Sequence, residues 1–159
     1  MVTDFSGLLL RLAEHDVRFV IIGGVALVLH GSARVTRDLD ICYARDDENL
    51  DRLSRALAPF SPALRGAPPG LPFQLDAPTL KAGLNFTLQT GAGDVDLLGE
   101  VTGVGGFAEI AATADTQIVY GTRVMVMSLE TLERAKRAAG RLTDIADLAE
   151  IRILRNRRG

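Results

Sequence analysis

The sequence predicts a mixed α/β fold, one mixed β-sheet flanked by helices, and three observations predict it. Runs dense in β-branched and aromatic residues, such as residues 17–22, alternate with segments whose apolar residues recur at helical spacing. Residues 37–43 alternate with period two, placing Leu39, Ile41 and Tyr43 on one face and Asp38, Asp40 and Cys42 on the other. Between residues 82 and 98, two strand-like runs flank Gly91-Ala92-Gly93, the signature of a hairpin.

Asp4 or Ser6 caps a first helix reaching to about residue 16, with Phe5, Leu8, Leu9 and Leu12 at helical spacing. Residues 17–22 form a buried strand. Gly23-Gly24 then turns tightly into Val25-Ala26-Leu27-Val28-Leu29, a helix apolar all round and therefore buried, ended by Gly31. After the strand at 37–43, Asp46 or Asp47 caps a helix whose Leu50, Leu53 and Leu57 face inward. All six prolines fall within residues 59–78, so RGAPPGLPF is neither regular helix nor central strand. A loop of that length inside a compact domain is uncommon and often functional, and Leu71, Phe73 and Leu75 anchor it.

Strands at 82–90 and 94–98 follow, then a short helix at 106–112 and strands at 116–120 and 123–127. Ser128 caps the next helix, with Glu130 in its first turn, and Gly140 stops it. A last helix spans about residues 143–154, with Ile145, Ala146, Ala149 and Ile153 expected inward. The whole chain, 1–159, reads as one domain with a core at about 17–127 and C-terminal helices at 128–154.

Composition narrows the function classes. No apolar run approaches the roughly 20 residues that span a bilayer, and the N-terminus lacks the basic region of a secretory leader. Cys42 stands alone, which excludes a disulfide framework or a Cys-rich zinc site within the chain, so a cytoplasmic protein is expected. A net charge of -2 gives no global attraction to nucleic acid. Arg152, Arg155, Arg157 and Arg158 crowd the C-terminus; they read as a solvated, frayed tail, with RNA-backbone contact as the alternative.

The stretch GGVALVLHGSARVTRDLD, residues 23–40, carries the chemistry. Carboxylates two apart on a strand project from one face, about 6–7 Å apart at their Cα atoms. Their repulsion is costly in an apolar strand unless a cation lies between them. Magnesium or manganese suits such hard oxygen ligands, and paired ions can activate an attacking hydroxyl and stabilise a leaving oxygen. The Gly23-Gly24 turn offers backbone N–H groups to phosphates without an obstructing Cβ. Asp96, in GDVDLLGE, supplies a third carboxylate if its strand neighbours 37–43. Asp94 shares its face and is a rival, although an aspartate just after a turn is commonly a solvated turn residue.

GGxAxxxHGxxRxTxDLD, followed near the C-terminus by SLExLxxxKRAAGRxxDxxDL, resembles the nucleotidyltransferase superfamily of the DNA polymerase β type. The resemblance is closest to its small members, the AbiEii-type toxin-like nucleotidyltransferases. The matching residues are Gly23, Gly24, His30, Gly31, Arg34, Thr36, Asp38 and Asp40, then Lys136, Arg141, Asp144 and Asp147. The resemblance implies a nucleotidyltransferase-like sheet and transfer of a nucleoside monophosphate from an NTP, with pyrophosphate released. The acceptor expected from it is macromolecular, tRNA or protein, with a place in a toxin–antitoxin pair. It also implies metal ligation and catalysis by Asp38, Asp40 and Asp96, selecting Asp96 over Asp94.

The remaining candidates for nucleotide binding are Gly23, Gly24, Arg34, Thr36, Lys136 and Arg141. Lys136, one of two lysines, turns toward the apolar face of its helix and reads either as a snorkelling side chain or as a phosphate-binding charge. Arg141 reads as a phosphate or base contact, or as a helix-surface partner of Asp144. Arg34 is favoured over Arg37, which precedes Asp38 and points away from it. Thr36 tightens the turn, and His30 is a packed or capping histidine rather than a general base. The commoner superfamily signature has serine where Gly24 stands. That lost hydroxyl supports an alternative reading, a nucleotide-binding domain without transfer that works through a partner.

Overall fold

The computed structural model describes residues 2–158. Helix α1 (Phe5–Glu14) is capped by Asp4, whose side chain accepts from the Gly7 N–H, and buries Leu8, Leu9 and Leu12. Strand β1 (Phe19–Ile22) is buried at all four positions and runs directly into α2 (Gly23–Leu29). Strand β2 (Asp38–Tyr43) carries the acidic pair. Asp46 caps α3 (Asp47–Leu57). The buried Asn49 on this helix accepts from the Arg18 N–H and donates to the carbonyls of Arg18 and Ala44, tying the outer ends of β1 and β2 together.

Next come β3 (Ala63–Leu64), α4 (Ala77–Ala82), β4 (Asn85–Thr90) and β5 (Gly93–Leu98). A two-stranded ribbon, β6 (Glu100–Val101) with β7 (Gly105–Gly106), leads into α5 (Phe107–Ala112). Strands β8 (Asp115–Val119) and β9 (Thr122–Val126) precede α6 (Leu129–Ala139) and α7 (Leu142–Arg158). The main sheet has the order β3-β4-β5-β2-β1-β9-β8. It is mixed: β1 runs antiparallel to β2 and parallel to β9, while β2 runs parallel to β5. The β4–β5 and β8–β9 hairpins complete its two sides. No helix among the described residues is long and apolar enough to cross a membrane.

The structure corrects or adds to several local expectations. Residues 77–82 form a helix rather than loop and strand: Asp76 caps it, and Pro78 sits in its first turn, where a missing N–H costs nothing. The proline-rich segment contributes the short edge strand β3, paired with β4. The β6–β7 ribbon is built from residues too few and too glycine-rich to show a period. Finally, Ile145, Ala146, Ala149 and Ile153 of α7 are exposed, and Asp144, Ile151 and Leu154 face inward instead. The rotation of α7 follows its charges: Lys136 and Arg141 draw Asp144 inward. The arginine tail is correspondingly helical through Arg158 rather than frayed. Arg155 pairs with Glu133, and Arg158 donates to Nδ1 of His30 at 2.7 Å.

Candidate active site

The site begins as a register. In the parallel β2–β5 ladder Asp38 stands opposite Asp94 and Asp40 opposite Asp96. Residues opposite each other in a ladder project to the same side, so four carboxylates share one face at the centre of the sheet. Three of them, Asp38, Asp40 and Asp96, bring one oxygen each within 4.8 Å of one another. Asp40 is the innermost; its Oδ1 is buried and has no hydrogen-bond partner. Burial, then the negative charge of Asp96 and of Asp38, pushes its carboxyl up to about 7. An all-oxygen donor set with one orphaned buried oxygen fits a hard divalent cation.

The β1–α2 junction closes one side. Gly23 lies at φ +66°, in the left-handed region. A Cβ on Gly24 would stand 2.9 Å from Oγ1 of Thr36, so the threonine hydroxyl fills the space a serine at 24 would need. A cavity of about 480 Å³ opens from the triad toward α6. Gly23, Asp40, Asp96, Lys136, Arg141 and Asp144 line it, together with apolar residues of β5, β6 and α6. Lys136 Nζ lies 3.3 Å from Asp144 and 3.0 Å from Asp147. Asp144 also accepts from the backbone and guanidinium of Arg141, and these partners, Arg141 foremost, hold its carboxyl down at about 2.

The cavity therefore gathers Gly23, Asp40, Asp96, Lys136 and Arg141, with Asp38 completing the triad. Gly24 and Thr36 pack behind it. Arg34 is not brought there: its guanidinium binds Asp147 at 2.6 Å and Glu150 at 2.5 Å, locking α7 to the loop before β2. His30 is packed, with Nε2 2.7 Å from the Met127 carbonyl, and burial lowers its pKa.

One residue escaped the sequence reading. Arg65, at the end of β3, donates to Asp96 at 2.7 Å and to the Leu88 carbonyl at 2.8 Å, with its Nε 3.3 Å from Asp94. Asp94 is thus an ion-pair partner beside the triad. No periodicity connects Arg65 to Asp96; only the pairing of β3 with β4 and of β4 with β5 does. The one available signal was an arginine opening a proline-rich loop expected to be functional.

A family model described as "Nucleotidyl transferase AbiEii toxin, Type IV TA system" matches residues 7–132. No curated relative matches the chain at a significant level. Among solved structures, a candidate nucleotidyltransferase from Thermotoga maritima is similar in fold. It has a TM-score of 0.60 and 18% identity, over 91% of this chain and 88% of the other. The lincosamide antibiotic adenylyltransferase LnuA, in its lincomycin-bound form, has a TM-score of 0.59 and 17% identity, over 97% of this chain and 99% of its own. At such identities the likeness is one of fold: a central mixed sheet flanked by helices.

Proposed function

The chain belongs to the AbiEii nucleotidyl transferase family, and from that we propose that it is a divalent-metal-dependent enzyme moving a nucleoside monophosphate from an NTP to an acceptor hydroxyl. The observation that carries this reading is the meeting of Asp38, Asp40 and Asp96 within 4.8 Å beside a cavity holding Lys136. Asp38, Asp40 and Asp96 would hold magnesium or manganese, which supplies charge stabilisation for the transferring phosphoryl group. Gly23, on the cavity lining, lets the phosphates approach the backbone, with Gly24 next to it in the same turn, while Lys136 and Arg141 on the same lining supply positive charge. The acceptor oxygen bonds to the α-phosphorus, its proton passes to the Asp96 carboxylate, and the bond to the α–β bridging oxygen breaks, releasing pyrophosphate. Arg34 and Thr36 act from behind, Arg34 by holding α7 and Thr36 by backing Gly24.

The hydroxyl missing at Gly24 does not favour the inactive alternative, because Thr36 sets a hydroxyl 2.9 Å from where a Cβ on residue 24 would lie. The family description supports a toxin–antitoxin setting, and an NTP-dependent reaction with a free, buried Cys42 fits the cytoplasm. The family resemblance favours tRNA or protein as the acceptor, whereas LnuA is by its name a lincosamide antibiotic adenylyltransferase. Calorimetric titration of each NTP, with magnesium and with manganese, into wild type and an Asp38→Ala/Asp40→Ala variant tests the reading. Metal-dependent binding lost in the variant is the expected result. Absence of NTP binding with either metal would overturn it.

A further inference from the structure

A second cavity, of about 440 Å³, lies between the proline-rich segment and the turn end of β4. We propose that it is the acceptor subsite and takes a neutral, hydroxyl-bearing small molecule with an apolar body. The proposal rests on the transfer reading given above and replaces its macromolecular acceptor with a small one.

Its position is the first argument. Leu64 and Gly66 both line the cavity, and Arg65 between them reaches Asp96 at 2.7 Å, so cavity wall and triad are one side chain apart. Gln89, another lining residue, stands opposite Asp94 in the β4–β5 ladder and so projects from the face that carries the carboxylates. Strand β5 begins just past Thr90 and Gly91, which line this cavity, and reaches the nucleotide cavity at Asp96 and Leu98.

The lining chemistry is the second argument. No Lys, Arg, Asp or Glu lines this cavity. Arg65 beside it is already committed to Asp94 and Asp96. A nucleic-acid strand is held mainly through cations on its phosphates, and none is free here. Leu64, Pro68, Leu71 and Phe73 offer apolar surface, and Gln89 a neutral hydrogen-bonding group. The volume falls in the range of roughly 300–1,000 Å³ usual for small-molecule pockets.

The test is amide NMR on the full chain with magnesium and NTP present, titrated with cyclohexanol, uridine, octyl glucoside and bulk deacylated tRNA. The expected result is saturable shifts of the Ala67, Leu71 and Gln89 amides with at least one of the three neutral alcohols and none with tRNA. Ala67→Trp, and separately the milder Leu71→Ser, should weaken that binding tenfold or more while NTP·Mg²⁺ affinity by calorimetry stays unchanged. Shifts of these amides by tRNA, or by no alcohol at all, would overturn the subsite. Loss of NTP binding in wild type would instead bring down the transfer reading, so the two failures are separable.

Discussion

A Cβ atom on Gly23 would stand 2.3 Å from Oδ2 of Asp40, closer than any real contact allows. The glycine at the end of β1 and the innermost carboxylate on β2 are thus one construction: the carboxylate has its place because residue 23 has no side chain. Its φ of +66° adds a second reason for glycine. Gly23→Ala should cost about 1–2 kcal/mol of stability from the left-handed conformation alone. It should also displace Asp40 and weaken metal-dependent NTP binding by tenfold or more. A thermal melt and a calorimetric titration on the same preparation check both.

The Asp40 carboxyl is pushed up to about 7 by burial and by its acidic neighbours. A cation must displace that proton, so apparent magnesium affinity should fall about tenfold for each pH unit below 7 and level off above it. Without metal the sign is opposite for stability. Between about pH 4 and 7 the folded chain holds a proton that the unfolded chain has released, so stability falls as pH rises. Magnesium should restore it above pH 7. Melting temperatures from pH 5 to 8, with and without magnesium, should diverge as pH rises; parallel curves would sink this account.

Asp144 behaves in the opposite sense. Its carboxyl is held at about 2, chiefly by Arg141, so the unfolded chain binds the extra proton between about pH 4 and 2. The stabilisation is full above pH 4 and disappears as pH falls through 2. Asp144→Asn should remove this part of the acid-unfolding curve. It should also lower neutral stability by about 1–3 kcal/mol, since the N–H of Arg141 and the ammonium of Lys136 lose a charged partner. Denaturant melts at pH 3 and pH 7 check the sign: the variant's deficit should be smaller at pH 3.

Arg65 holds the third carboxylate in place and offsets part of the repulsion among the acids. Arg65→Ala should therefore lower the melting temperature more in chelator than in magnesium, because a bound cation takes over the neutralising task. Turnover should fall roughly tenfold through misplacement of Asp96. Arg65→Lys should recover the metal-free stability in part but not the two-pronged grip on Asp96 and the Leu88 carbonyl. Equal destabilisation with and without magnesium would show that Arg65 has only a packing role.

Much of the site was legible because its signals are short-range. The period-two alternation placed Asp38 and Asp40 on one face of β2, the glycine pair marked the β1–α2 turn, and Ser128 and Gly140 bounded α6. The helix α4 was missed because Pro78 reads as a breaker until its place in a first turn is known. The inward face of α7 was misjudged because hydrophobic periodicity carries no information on a buried aspartate with two cationic partners.

By itself the sequence determined the fold class, the acidic pair, the glycine turn and, through its motifs, the family. The choice of Asp96 also rested on the resemblance rather than on spacing. Tertiary structure alone decided which carboxylates meet, because the β2–β5 register joins residues 56 positions apart, as Asp40 opposite Asp96 shows. It alone turned Arg34 toward α7, brought Arg65 onto Asp96 and opened a cavity lined by Asp40 and Asp96. Local patterns report which face of an element a residue occupies. Which elements become neighbours is decided by how their buried faces pack together, and no period along the chain records that.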